Sequence, residues 1–271
     1  MIEDFKKYKF FYVNGCSFTE GGGLEGPELN SKSVVPLYKE KYGVTWNSRN
    51  EVNYGKRLEE IIGIKCINDS KSGAGVDRVI RTTYDFIFDN WKDKDKFFII
   101  LEKPNSSRSD VFYNKNKKYY IVNCSAQKDK NFKFENATIE YYNKKYEENL
   151  EDLEIFKNWF KNHYDFQEKI LQDEKSFLGL YSFCKLHSIK LFIMQPNNFI
   201  FVDCFDEKDI IKFSGKENTG SIYEWCCENK MTIKDELNGL SNDGHPGYFG
   251  HIEYAKELSK FLQKKESKKL I

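Results

Sequence analysis

The sequence predicts an α/β fold, a three-layer α/β/α sandwich with a mainly parallel sheet of about five strands. Three observations carry that prediction. Short apolar runs such as Phe97-Phe-Ile-Ile-Leu101 read as strands covered on both faces. Segments with apolar residues at helical spacing alternate with those runs. Small polar residues and glycines gather just after the runs, where an open α/β sheet places its ligands.

Taken in order, residues 7–15 form an apolar run closed by Gly15, the mark of a buried first strand. Cys16-Ser17-Phe18-Thr19 follows at once. Gly21–Gly23 lacks the Lys-Ser/Thr of a phosphate loop and reads as a flexible hinge. The polar stretch 24–50 reads as a loop or lid. Apolar positions 54, 58, 61 and 62 predict a helix over Val52–Ile62, stopped by Gly63. Ile64–Ile67 is a brief strand and 68–75 a turn. Val76–Trp91 has the spacing of an amphipathic helix. Phe97–Leu101 is the central strand.

From 111 to 146 the pattern turns polar and tyrosine-rich. Val111–Tyr113 and Tyr119–Val122 suggest a hairpin within an insertion spanning 111–150. Leu150–Leu186 is helical, as one broken helix or two. Lys190–Met194 is another buried strand, ended by Pro196. A short helix is expected near Ile222–Cys227, and a last one over Gly250–Gln263. The tail Lys264–Lys269 reads as a solvated terminus.

Composition removes several classes of function. The 43 Lys+Arg against 42 Asp+Glu leave a formal charge of +1, so no nucleic-acid partner is expected. No apolar run reaches the ~20 residues of a spanning helix, and no membrane partner is expected. Met1-Ile-Glu-Asp-Phe-Lys-Lys does not read as a secretory signal, so a cytoplasmic location is expected. The seven cysteines contain no C-x-x-C pair, which argues against a zinc ribbon. Cys226-Cys227 reads as packing.

Four polar blocks then stand out. They are Gly15-Cys16-Ser17-Phe18-Thr19, Ser72-Gly73-Ala74-Gly75, Lys103-Pro104-Asn105-Ser106, and Asn242-Asp243-Gly244-His245-Pro246 with Gly250-His251. Their order resembles the SGNH (GDSL-like) hydrolase superfamily, especially virus- and phage-encoded members that begin with a G-C-S-F-T-x-G-like block. Ser17, Gly73, Asn105 and His245 fall on the four family positions, and Asn68 stands where members often have Asn. Cys16 replaces the common Asp, Lys103 the glycine and Ser106 the aspartate of the third block. The blocks span 12 to 262, so the resemblance implies one SGNH-like domain over 1–271 with a flavodoxin-like arrangement.

The resemblance implies a serine esterase acting on a short acyl group, most simply an O-acetyl ester on a carbohydrate or modified biomolecule. Ser17 would be the nucleophile and His245 its base. Asn242 holds the more usual acid position, so Asp243 either reaches the imidazole across a tight turn or the site works as a Ser–His dyad. The oxyanion donors would be the N–H groups of Ser17 and Gly73 and the Asn105 amide. No cofactor and no metal are expected, since His245, Asp243 and His251 lack a third well-placed ligand.

Plainer readings stand beside these. Ser17 alone fits a helix cap, and the company of His245 favours the nucleophile. The Cys16 side chain is expected to point away from that of Ser17 and to pack. His251 is expected to cap or pack at the start of the last helix, and His163 and His187 to lie on the surface. Arg108 fits either an anionic or sugar-like substrate or a structural ion pair. Tyrosines 119, 120, 141, 142 and 146 fit either stacking on sugar rings or packing of the insertion. Two other functions use the same residues: an O-acyltransferase, which an acceptor groove would mark, and a binding protein that keeps the fold.

Overall fold

The computed structural model describes residues 5–26, 33–104, 108–113, 118–123, 165–194, 202–213 and 220–267. Five parallel strands make the main sheet: β1 (Phe10–Asn14), β2 (Lys65–Asn68), β3 (Phe97–Glu102), β6 (Lys190–Met194) and β7 (Ile210–Ile211). Their order across the sheet is β2-β1-β3-β6-β7. Every neighbouring pair is parallel, with Phe11 beside Cys66 and Phe98, and Ile100 beside Phe192. The chain thus starts near the middle of the sheet, adds one strand on one side, and then builds outward on the other. That switch opens a crevice at the carboxyl end of β1.

Strand alternation divides the core into two layers. Phe11, Val13, Phe98, Ile100, Phe192 and Met194 face one side. They pack against α3 (Tyr54–Ile62), α6 (Ile222–Glu228) and α8 (Tyr248–Ser267). Tyr12, Phe97, Ile99, Leu101, Leu191 and Ile193 face the other side. There they meet α4 (Val76–Asp89) and α5 (Phe166–Leu186). With both faces covered, the strands have no need of polar alternation, which is why they read as unbroken apolar runs.

The predicted loop over 24–50 is corrected by the structure. It contains α2 (Val35–Tyr42) and a 3-10 turn at Arg49–Glu51. Leu24, Val34, Val35, Tyr38, Trp46 and Val52 form a third cluster with Ile233 and Leu237, the latter pair in and beside the short helix α7 (Ile233–Glu236). The last helix begins two residues earlier than predicted and continues through Ser267, so the lysines at 264 and 265 are helical. Cys226 is buried as expected, whereas Cys227 is exposed.

A separate antiparallel hairpin pairs β4 (Arg108–Tyr113) with β5 (Lys118–Asn123). It starts three residues before the predicted insertion. The remainder of that insertion, and positions 150–164 of the long helical segment, lie outside the described residues.

Candidate active site

The short helix α1 (Ser17–Glu20) begins directly after β1, at the carboxyl end of the sheet. Cys16 is its N-cap, so Ser17 is the first helical residue and its N–H has no acceptor within the helix. The Gly73 loop runs alongside, tied by Asp69 N–H to the Val13 carbonyl (3.0 Å) and Lys71 N–H to the Gly15 carbonyl (3.3 Å). Gly73 itself has φ +82°, a left-handed conformation that favours glycine.

The imidazole comes from the other end of the chain. Two N–H groups at the start of α7 hold its loop, Ile233 on the His245 carbonyl (2.8 Å) and Lys234 on that of Asp243 (2.9 Å). Thr232 caps α7 reciprocally with Asp235, which fixes the helix that does the holding. In this frame His245 Nε2 lies 3.1 Å from Ser17 Oγ, and Nδ1 lies 2.6 Å from Asp243 Oδ1. The His245 backbone N–H also donates to Asp243 Oδ1, at 2.9 Å, so the turn closes across two residues. Burial pushes the Asp243 carboxyl up, but the bonds from the His245 ring and backbone outweigh it and hold it below the usual carboxylate range. An ionised acceptor on Nδ1 assigns the ring proton to that nitrogen and leaves the Nε2 lone pair for the Ser17 hydroxyl.

The glycine run predicted as a hinge is a packing surface instead. A Cβ at Gly22 would lie 2.9 Å from Ser17 Cβ and 3.2 Å from His245 Cδ2. At Gly23, where φ is +83°, it would lie 2.7 Å from Asp243 Oδ2. The absence of side chains lets the backbone close over Ser17, His245 and Asp243 together. Phe18 stacks on Tyr223 with ring centroids 4.5 Å apart and lies 5.2 Å from the His245 ring. Phe18, backed by Tyr223, flanks the imidazole on one side.

Beneath α1 sits Glu102, the last residue of β3, only 2% exposed. Thr19 Oγ1 donates to its Oε2, and Cys16 Sγ lies 3.6 Å from the same oxygen. Burial pushes the Glu102 carboxyl up against those bonds. Burial also raises the Cys16 thiol well above its ordinary value, and Glu102 adds to the rise. Cys16 is therefore a packed thiol, turned to Glu102 while the Ser17 hydroxyl turns to His245, as expected.

The other expected residues fall as follows. His251 is fully buried near the start of α8, as expected, but its Nδ1 accepts the Tyr54 N–H (3.0 Å) and so caps α3. Burial pushes its imidazole down to about 3, with His245 and Arg57 assisting, so it stays neutral. His187 is half-buried rather than free on the surface, with its ring 5.0 Å from Trp91 and 4.6 Å from Phe183. Arg108 is half-buried at the start of β4, its carbonyl so close to Gly75 that a Cβ there would stand 2.4 Å away. Asn105, His163 and tyrosines 141, 142 and 146 lie outside the described residues. Tyrosines 119 and 120 lie in β5, and their side chains fall outside what is described. No group of metal-ligating side chains occurs among the described residues, and no described helix is long and apolar enough to cross a membrane.

Sequence reasoning missed Glu20, Glu102, Gly22 and Gly23. The glycines carried a signal, a triplet directly after the candidate nucleophile. The two glutamates carried none, since each ends an element and looks like the start of a loop.

No protein-family model matches the chain, and no curated protein matches it. Among solved structures, the psychrotrophic esterase EstA from Pseudoalteromonas sp., determined as inhibited by monoethylphosphonate, is similar at a TM-score of 0.44 and 11% identity. The match covers 94% of this chain and 97% of that one. At that score the two chain paths differ too far for the likeness to carry an argument about function.

Proposed function

We propose that the protein is an SGNH-type serine esterase that removes a short acyl group, most simply acetyl, from a carbohydrate-like or other hydroxyl-bearing substrate. The observation that carries this reading is the bonded chain from Ser17 Oγ through the His245 ring to Asp243. A serine hydroxyl is a weak nucleophile until a base takes its proton, and a neutral imidazole at hydrogen-bond distance is suited to that task.

In the proposed reaction Ser17 Oγ bonds to the ester carbonyl carbon as its proton passes to His245 Nε2. The carbonyl oxygen takes the charge and is met by the Ser17 and Gly73 N–H groups, with the Asn105 amide as a third donor. Collapse breaks the bond to the alkoxy oxygen, which leaves as an alcohol carrying the proton from His245. Water then repeats the sequence on the acyl-serine and releases the carboxylic acid. Asp243 holds the ring tautomer and stabilises the imidazolium. Loss of one oxyanion donor costs ~2.7–4 kcal/mol in such sites. Arg108 is assigned an anionic or sugar-like part of the substrate through its guanidinium donors.

The test is fluorophosphonate labelling with the modified residue read by mass spectrometry, alongside hydrolysis of p-nitrophenyl acetate. The expected result is a single adduct on Ser17 and loss of turnover in Ser17→Ala by at least about 10³-fold. Labelling elsewhere, or turnover that survives Ser17→Ala, would overturn the assignment.

A further inference from the structure

The Glu20 side chain has no role in the reaction just described, yet it is 7% exposed and held on both oxygens. Oε2 accepts the Ser72 N–H (2.5 Å) and the Ser72 hydroxyl (2.6 Å). Oε1 accepts from Arg49 Nη2. Arg49 Nη1 reaches in turn to Glu25 Oε1 (3.1 Å) and Ser72 Oγ (3.5 Å). Glu20 closes α1, three residues after Ser17, and Ser72 is joined by one peptide bond to Gly73. The carboxylate thus bridges the element that bears the nucleophile and the loop that bears the second oxyanion N–H.

We propose that Glu20 is the positioning residue of the oxyanion pocket, locking the Ser72–Gly73 peptide in register with the Ser17 N–H through its bonds to Ser72. This rests on the esterase reading and deepens it. Stabilising an oxyanion depends on donors fixed before charge develops, and a shift of a few tenths of an ångström weakens them. The bonds from Asp69 and Lys71 tie the loop to the end of β1, and the Glu20 bonds fix it one residue from Gly73 itself. Glu20 makes that last attachment from the same short helix as the nucleophile, so the two donors move as one body. Arg49 balances the carboxylate charge, which would otherwise oppose an oxyanion nearby. It also connects the clamp to the 3-10 turn at Arg49–Glu51 and hence to the cluster that supports the His245 loop.

The experiment compares the whole protein with Glu20→Ala and Glu20→Gln on a matched oxoester and thionoester, with thermal midpoints recorded for each. A pocket set for oxygen strongly favours the oxoester, and a merely structural role would lower both rates together. Glu20→Ala is expected to lower kcat on the oxoester by tenfold or more, leave KM within about twofold, and shrink the oxoester-to-thionoester rate ratio. Glu20→Gln keeps the side-chain volume and one acceptor for Ser72, and is expected to regain part of that ratio. The acid limb of the pH–rate profile should not move in either variant, because the base is untouched. A parallel fall in both rates, a change in KM alone, or an unaltered ratio in a folded variant overturns the proposal and leaves the esterase reading standing. A wild-type protein inert on every ester overturns both.

Discussion

The two ends of the parallel sheet carry charge in different ways. At the carboxyl end Glu20, Glu102 and Lys103 are all buried, and each is hydrogen-bonded or paired, Lys103 with the equally buried Glu174. At the amino end the ion pairs mostly lie open to water, the exception being Asp209, which is 3% exposed and takes Lys190, Lys185 and Tyr181. Lys9 and Asp93 are 56% and 35% exposed, and Lys185 and Asp206 are 42% and 48%. Removing a charge from water costs several kcal/mol that a partner only partly offsets. Exposed pairs avoid the cost and contribute little. Buried charge is denser at the end that carries Ser17 and His245, whereas the amino end buries Asp209 beside exposed pairs.

The comparison breaks most sharply at Asp243. Replacing it with Asn removes the carboxylate on Nδ1 and should lower kcat by about 10²-fold or more near neutral pH. A steady-state assay showing less than a threefold loss would mean that Ser17 and His245 suffice as a dyad. Glu102→Ala should come next, costing about 2–4 kcal/mol of stability by urea titration, since Thr19 and Cys16 lose their acceptor inside the core. Glu102→Gln, which keeps shape and an acceptor, should cost less; an equal cost would mean that the charge itself matters.

His251 sharpens the contrast through pH. Its folded imidazole titrates at about 3, against an ordinary value of about 6.5. Between those values the unfolded chain binds the extra proton, so stability rises with pH and falls as the solution is acidified. The slope from this group is up to about 1.4 kcal/mol per pH unit below ~6.5. His251→Asn, whose Oδ1 still accepts the Tyr54 N–H, should flatten the dependence of the urea midpoint between pH 7 and 5. The smallest effect belongs to the amino end. Lys9→Ala should leave the urea midpoint where it is, and a clear drop would contradict the reading of the exposed Lys9–Asp93 pair as passive.

Much of the sheet was legible because its strands are buried on both faces. Phe97–Leu101 and Lys190–Met194 show that burial as unbroken apolar runs. The helices over Tyr54–Ile62 and Val76–Asp89 were legible because each offers one apolar stripe to a nearby core layer. Helix α2 was not, because it is only eight residues long with Pro36 in its first turn, and its apolar residues meet Ile233 and Leu237, almost 200 positions away. Strand β7 has two residues, too few for a pattern. At the site, Ser17, Asp243 and His245 drew notice through the spacing of small polar blocks, and the structure brings these three together. Glu20 and Glu102 drew none, because what sets them apart is burial, and a lone acid at the end of an element gives no sign of it.

The support of the His245 loop by the segment around α2 has a consequence for synthesis. Tyr38 Oη donates to Glu236 Oε2 (2.6 Å), and Gly250 N–H to Oε1 (2.8 Å), so the earliest and latest parts of the chain close on one carboxylate. On the ribosome Ser17 and strands β1 to β3 are synthesised long before residue 245. Until the final helix emerges and docks, Ser17 has no imidazole beside it, and the Ser17–His245–Asp243 set is completed as the closing event of folding.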